Sequence, residues 1–368
     1  MAALPPTSLC IAYGSRGVDK LIETLASPEA ETQRFTLTTL NTLLSNQENK
    51  LKALSERLQL VWTLVTLLGS DDNEVKRQAA LALASLGLLY QGRLAIGEAG
   101  AVRELSGLLV DSGETGVREA CSSALLALSE SRDGCATLVA QERIVETLVS
   151  ALDDDHLAAK QCSLRTLANL SRLDLGISEA IDAGIMARLA AVLDPAAALP
   201  GAEGAALVCI GLQTLWNLAN TPDGKVAALD TCLLPFLSHH CSVYSPREQR
   251  LAAGAIMAIT INKQGKMESS ECLAPLADLL LSLDTDEDTL RDVIGALKNM
   301  SEFPAARKAI DRYLRKHGMP PEQLNMYDSK PWPQSIRYLH QNFAPGGQTA
   351  THEAAVRKRW GYPDPISA

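Results

Sequence analysis

A small residue followed by two apolar residues three apart returns seven times, on Leu40/Leu43, Leu83/Leu86, Leu125/Leu128, Leu167/Leu170, Leu215/Leu218, Ile256/Ile259 and Leu297/Met300. Successive first members are 43, 42, 42, 48, 41 and 41 residues apart. A period near forty marks stacked helical repeats, in which each unit leaves an apolar face that only its neighbours can bury. The constraint governs fold class: the chain is expected to form one elongated all-α array rather than several independent domains. Composition agrees, since 46% of residues are hydrophobic but only 4% aromatic. Such a core is built from Ala, Leu, Val and Ile, which suits close helix packing.

A second apolar helix precedes each of these segments. It begins with Val18, Leu21, Ile22 and Leu25 after Gly17, and its counterparts include Val61/Leu64/Leu68, Val102/Leu105/Leu109, Val145/Leu148/Leu152 and Met186/Leu189/Leu193. The sixth copy, Leu233 to Leu237, is expected to be degraded by Pro235. Polar turns such as Ser70-Asp-Asp-Asn73, Asp111-Ser-Gly-Glu114 and Asp153-Asp-Asp155 supply side chains that can cap the following helix. A third, shorter helix follows, as at Gly92–Ile96 and Ile177–Ile181, and Gly100 and Gly184 allow the tight turn into the next unit. The one long interval arises from Pro195–Gly204, where Pro and Gly predict a surface loop inserted in the fifth unit.

The organisation read from these patterns is a short lead over residues 1–14, a solenoid over 15–312 and a tail over 313–368. The tail holds seven of the fifteen aromatics and seven of the seventeen prolines. Its net charge is +3, within a chain whose total is −9. Rings joined by irregular segments fit grooves better than they form a core, so Trp332, Tyr338, Phe343 and Trp360 are expected to contact partners. Arg357-Lys-Arg359 beside Trp360 reads as solvated charge, as a contact for an acidic partner or as a nuclear signal.

Several function classes find no support. The acidic balance argues against general nucleic-acid binding, which needs a dense basic surface. No apolar run is long enough for a membrane span, and the opening residues lack a secretion signal, which predicts a cytoplasmic protein. There is no GxSxG, P-loop, HExxH or dinucleotide-binding glycine turn, so no catalytic residue and no cofactor are predicted. Eight scattered cysteines without a CxxC pair read as small buried apolar residues, reduced in the cytosol. Cys232, His239, His240 and Cys241 offer zinc-type ligands at a spacing that fits no common zinc site. Asp284, Asp286 and Asp288 start like a calcium loop but lack its glycine and final glutamate, and read as a capping turn. Asn169-Leu-Ser171 and Asn299-Met-Ser301 satisfy the glycosylation pattern but lie inside the repeating helix.

Thr166-Leu-Ala-Asn-Leu-Ser171, Thr214-Leu-Trp-Asn-Leu-Ala219 and Ala296-Leu-Lys-Asn-Met-Ser301, each after an Asp-rich turn and an apolar helix, resemble the armadillo repeat. The resemblance covers roughly residues 15–312 and implies a right-handed α-solenoid of about seven three-helix repeats, whose third helices line a concave groove that binds extended partners. It assigns Asn169, Asn217 and Asn299 to the groove, where a carboxamide can hydrogen-bond a peptide backbone; the other repeats carry Thr42, Ser85, Ala127 and Ala258. An Asn inside a helix can equally brace a neighbouring turn. Nuclear import adaptors have tryptophan four residues earlier, where Arg165, Gln213 and Gly295 stand here, which argues against reading lysine-rich signals. Trp216 lies on another face and reads as core packing.

Ile11-Ala-Tyr-Gly-Ser-Arg-Gly-Val-Asp-Lys-Leu21 and Gly224-Lys-Val-Ala-Ala-Leu229 also look like the armadillo-repeat radial spoke proteins of motile cilia and flagella, in particular the radial spoke head protein fourteen type. That resemblance implies a non-enzymatic axonemal scaffold within a large hetero-complex, binding other spoke subunits through groove and tail. The alternative is a soluble cytosolic adaptor for adhesion, traffic or degradation, binding transient peptides.

Overall fold

The computed structural model describes residues 17–56, 59–197, 199–282 and 284–317. The lead at 1–14 and the tail residues Trp332, Tyr338, Phe343 and Trp360 lie outside the described residues. Every regular element among the described residues is helical, and together they make about seven three-helix units. Seven long helices carry the repeated apolar pair: Ala30–Leu43, Asn73–Gly87, Thr115–Ser129, Leu157–Leu170, Gly201–Ala219, Pro246–Ile259 and Glu287–Ser301. A middle helix precedes each, from Gly17–Leu25 to Leu273–Leu281, and a shorter one follows, from Gln47–Glu56 to Lys263–Glu268. After the seventh unit the helix Pro304–Lys316 crosses the 312/313 boundary expected for the tail and buries Leu314 completely.

The chain divides into two compact units, one of Met1–Val192 with Pro200–Leu218 and one of Leu193–Leu199 with Ala219–Ala368. Inside each, long helix packs on long helix. Asn73–Gly87 lies between Ala30–Leu43 and Thr115–Ser129, which in turn meets Leu157–Leu170; in the second unit Pro246–Ile259 packs on Glu287–Ser301. The first member of the repeated pair is no more than 1% exposed in all seven helices. The second is buried in six, Leu43 being half-buried beside a fully buried Leu44.

Two expectations are corrected. Pro235 does not degrade its helix, because Leu234–Ser242 begins there and Pro235 falls in the first turn, where no backbone N–H is needed. The 195–204 insertion is not all loop: Pro195–Ala197 makes one 3-10 turn, and Gly201 to Gly204 are the first turn of a nineteen-residue helix. Pro200 stands just outside that helix, so its ring obstructs nothing.

Helix capping is more selective than the acidic turns suggest. Asp72 accepts from Glu74 and Val75 N–H, and Asp286 from Asp288 and Thr289 N–H. Glu114 and His156 occupy the same place without a side-chain cap. The turn into the middle helix uses a left-handed residue, Gly100 (φ 69°) and Gly184 (φ 78°) as expected, but also Arg143 (φ 64°) and Cys232 (φ 54°). L-residues reach that region only at a cost, which is why nothing in the sequence marks these two.

A further periodic glycine sits in the short helices. A Cβ at Gly92 would stand 2.0 Å from the Leu86 carbonyl oxygen, at Gly134 1.8 Å from that of Leu128, and at Gly176 and Gly265 2.4 Å from those of Leu170 and Ile259. Only a residue without a Cβ lets the short helix fold back against the end of the long one. Gly134→Ala is expected to lower the unfolding free energy by more than about 2 kcal/mol, read by denaturant titration, because the obstacle is backbone. Leu167→Ala should cost on the order of 2–5 kcal/mol by opening a cavity between stacked helices. A near-neutral result for either would contradict the repeat register.

Candidate functional site

The long helices place the three repeat asparagines at the same register, and their contacts are the same in kind. Asn169 Nδ2 donates to Ser129 Oγ (3.0 Å), one repeat earlier. Asn217 Nδ2 donates to Ala168 O (3.2 Å) and Ser171 Oγ (3.0 Å), while its Oδ1 accepts from Gln213 Nε2 (3.0 Å). Asn299 Nδ2 donates to Met257 O (3.1 Å) and Thr260 Oγ1 (3.4 Å). Each hydroxyl hands its own proton to its helix: Ser129 to Leu126 O, Ser171 to Ala168 O and Thr260 to Ile256 O, at 2.7–2.8 Å. The amide protons therefore fasten one helix end to the next, and the Oδ1 atoms of Asn169 and Asn299 have no partner among the described residues. Asn169 is only 8% exposed, whereas Asn217 and Asn299 are half-buried.

The hydroxyl partners were missed in the sequence, yet a signal was present. Where the preceding repeat ends in Ser129, Ser171 or Thr260, the next carries Asn169, Asn217 or Asn299; where it ends in Leu44, Gly87 or Ala219, the next carries Ser85, Ala127 or Ala258. Gly87 and Ala127 face each other directly, since a Cβ on Gly87 would lie 3.7 Å from that of Ala127. In these three repeats the carboxamide donor stands where the preceding repeat offers a hydroxyl acceptor, which Leu44, Gly87 and Ala219 do not.

Arginines near the starts of the long helices form a second set of ties between repeats. Arg34 meets Asp72, Arg118 grips Asp154 through two bonds (2.6 and 3.1 Å), and Arg250 meets Asp288 at 3.0 Å. Burial would push the Asp154 carboxyl up, but the Arg118 guanidinium and the His156 backbone N–H outweigh it and hold it below the ordinary carboxylate range. Arg165, by contrast, is exposed and has no carboxylate partner among the described residues. Gln213 is half-buried and bound to Asn217, so of the five helix residues expected to face a partner, Arg165 presents the most open donor set. Trp216 is half-buried.

Asp292 lies seven residues before Asn299 on the last long helix and is 8% exposed. Burial pushes its carboxyl up to about 6, with Arg250 and Arg291 opposing and Asp288 and Asp286 adding to the rise.

The zinc-type cluster does not assemble. His240 is buried, its Nε2 donates to Leu193 O (3.0 Å) and its Nδ1 lies 3.0 Å from Glu248 Oε2, so neither nitrogen is open to a metal. Cys232 is exposed at a turn while Cys241 is buried. Among the described residues no group of three or more His, Cys, Asp or Glu could hold a metal ion, and none of the seven described cysteines forms a disulfide. Burial pushes the Cys121 and Cys241 thiols up to about 12, which removes them as nucleophiles. Among the described residues no helix is long and apolar enough to cross a membrane.

No family model matches the chain. Its fold is shared with solved structures of engineered repeat proteins. An engineered protein aligns over 97% of this chain and 92% of its own, with TM-score 0.66 and 21% identity. A computationally designed armadillo repeat protein for modular peptide recognition aligns over 66% of this chain and 99% of its own (TM-score 0.59, 22% identity). A designed armadillo repeat protein in complex with the peptide (KR)4 aligns over 66% and 99% (TM-score 0.57, 23% identity). The fold is thus an armadillo-type solenoid.

The bracing geometry leads to two expectations. Asn217→Ala should cost about 1–2 kcal/mol, and a double-mutant cycle with Ser171→Ala should show coupling of at least about 0.5 kcal/mol by denaturant unfolding; additive losses would refute the relay. For Asp292 the folded carboxyl titrates above its unfolded value, so its contribution to stability is full below about pH 4 and is lost as pH rises through about 6. Asp292→Asn should therefore raise stability at pH 7.5 by on the order of 1–2 kcal/mol and leave it unchanged near pH 4, read as unfolding midpoints across pH.

Proposed function

We propose that this chain is a non-enzymatic scaffold that binds protein partners along the exposed face of its long helices and through the segment after residue 317. The observation that carries this reading is the stacked set of long helices, with core positions buried in every repeat and Arg165 left open on the outward positions. Such an arrangement offers regularly spaced, modest contacts that sum over a long partner, and among the described residues it supplies no enclosed set of acid, base and nucleophile. The designed relatives in fold, one made for modular peptide recognition and one bound to a peptide, support the same use.

The assembly to which the sequence resemblance points is the radial spoke of the ciliary or flagellar axoneme, with other spoke subunits as partners in a large hetero-complex. Internal bracing favours a permanent scaffold over a transient peptide adaptor. Asn169 spends one amide proton and Asn217 both on the preceding repeat, which leaves less of them for reading a free peptide. A cytosolic adaptor would be expected to keep those groups open.

The test compares the full chain, a chain ending at residue 317 and the Arg165→Glu variant, each tagged in a ciliated cell. The scaffold reading expects the full chain in the axoneme and in a large salt-extracted complex. It expects truncation to remove most of that incorporation and Arg165→Glu to weaken it several-fold. Diffuse cytosolic signal for the full chain would remove the axonemal assignment, and unchanged incorporation of both variants would remove the proposed contact surfaces.

A further inference from the structure

Beside the last repeat, within the second unit, lies a cavity of about 300 Å³ whose walls include Tyr244, Pro246, Pro275 and Leu279, with Asp278 and Asp284 also lining it. Tyr244 is 97% exposed, an unusual position for a large ring that contributes nothing to the core. The last described helix ends at this place. Tyr313 Oη donates to Asp278 Oδ1 (2.7 Å), and the His317 ring stacks on Tyr313 with centroids 4.4 Å apart. His317, the last described residue, thus stands one ring away from Asp278, one of the residues lining the cavity.

We propose that this cavity receives Trp332 of the same chain, in the sequence Lys330-Pro-Trp-Pro333. The Tyr244 ring and the rings of Pro246 and Pro275 on the walls offer apolar faces against which an aromatic side chain can pack, and the volume suits one large ring with its neighbouring methylenes. Asp278 and Asp284 place negative charge where Lys330 would arrive. Trp332 lies fifteen positions after His317, a reach of up to about 50 Å when extended, so the distance allows it to return to the cavity. The short tether gives Trp332 a high effective concentration at the cavity, which falls with linker length and so favours it over Trp360. Seated there, Trp332 anchors the root of the tail and leaves the residues after it, Phe343 and Trp360 included, to contact partners. The claim concerns the isolated chain and stands apart from any partner-binding role.

The probe is a labelled peptide of residues 326–337, titrated by fluorescence anisotropy against full-length chains. Wild type should bind it at least about ten-fold more weakly than Trp332→Ala, because its own tail fills the cavity. Tyr244→Ala added to Trp332→Ala should abolish binding, and Trp360→Ala should behave as wild type. Hydrogen exchange supplies a readout independent of the Trp332 variant: Tyr244→Ala in an otherwise wild-type chain should expose amides in 326–337 and 275–285 together. Equal binding by wild type and Trp332→Ala, binding by neither, or opening of the site by Trp360→Ala instead would overturn the proposal. So would a wild-type dimer lost in Trp332→Ala, which would make the occupant a second copy's tail.

Discussion

Burial of one long helix against the next is the interaction on which the rest of the structure depends. No unit of about forty residues can hide its apolar face alone, and the positions that do so are almost completely sealed in all seven long helices. Stability is then close to a sum over neighbouring interfaces, so each interface must be satisfied locally. The short helices make this possible by folding back within a methyl group's width of the long-helix ends, where Gly92, Gly134, Gly176 and Gly265 recur. A side chain there would hold the helices apart and thin the interface on both sides.

Polar ties at these interfaces follow the same nearest-neighbour logic. The carboxamide of one repeat donates to a hydroxyl of the one before, and that hydroxyl passes its proton to its own helix. Each link is modest, about 1 kcal/mol net, but an unmatched member would leave a donor or acceptor unsatisfied in a dry place. The Arg118–Asp154 bridge works similarly on the opposite end of the helices, its guanidinium and the His156 backbone N–H outweighing the upward push of burial on the carboxyl. Between Thr115–Ser129 and Leu157–Leu170, and between Pro246–Ile259 and Glu287–Ser301, register is thus fixed at both ends of the long helices, by a hydroxyl–carboxamide pair at one and an ion pair at the other.

Periodicity makes the fold legible, because apolar burial repeats every forty or so residues and leaves its record in the sequence. What it cannot convey is pairing across repeats. Asp154 reads as a cap and is also an arginine partner; Pro235 reads as a defect and is a helix start; Gly201 to Gly204 read as loop and begin a helix. In each case the residue's local preference is compatible with more than one outcome, and a contact or a helix-end position decides. The site is less legible still. Asparagine in a helix can face a partner or a neighbour, and only the placement of Ser129, Ser171 and Thr260 shows where the amide protons go.

That allocation changes the kind of surface the long helices can offer. A ladder of open carboxamides would hold any extended backbone through paired donors and acceptors, with little regard for side chains. In this chain the donors of Asn217 and Asn299 are committed, Gln213 on the same helix occupies the Asn217 oxygen, and Asn169 is nearly buried. What remains is a scattering of carboxamide acceptors and the open guanidinium of Arg165, a group that selects planar acceptors such as carboxylates. Recognition on such a face depends on a partner's side chains and fixed shape more than on its backbone. Those are the terms on which a folded surface, rather than a free extended peptide, would meet such a face.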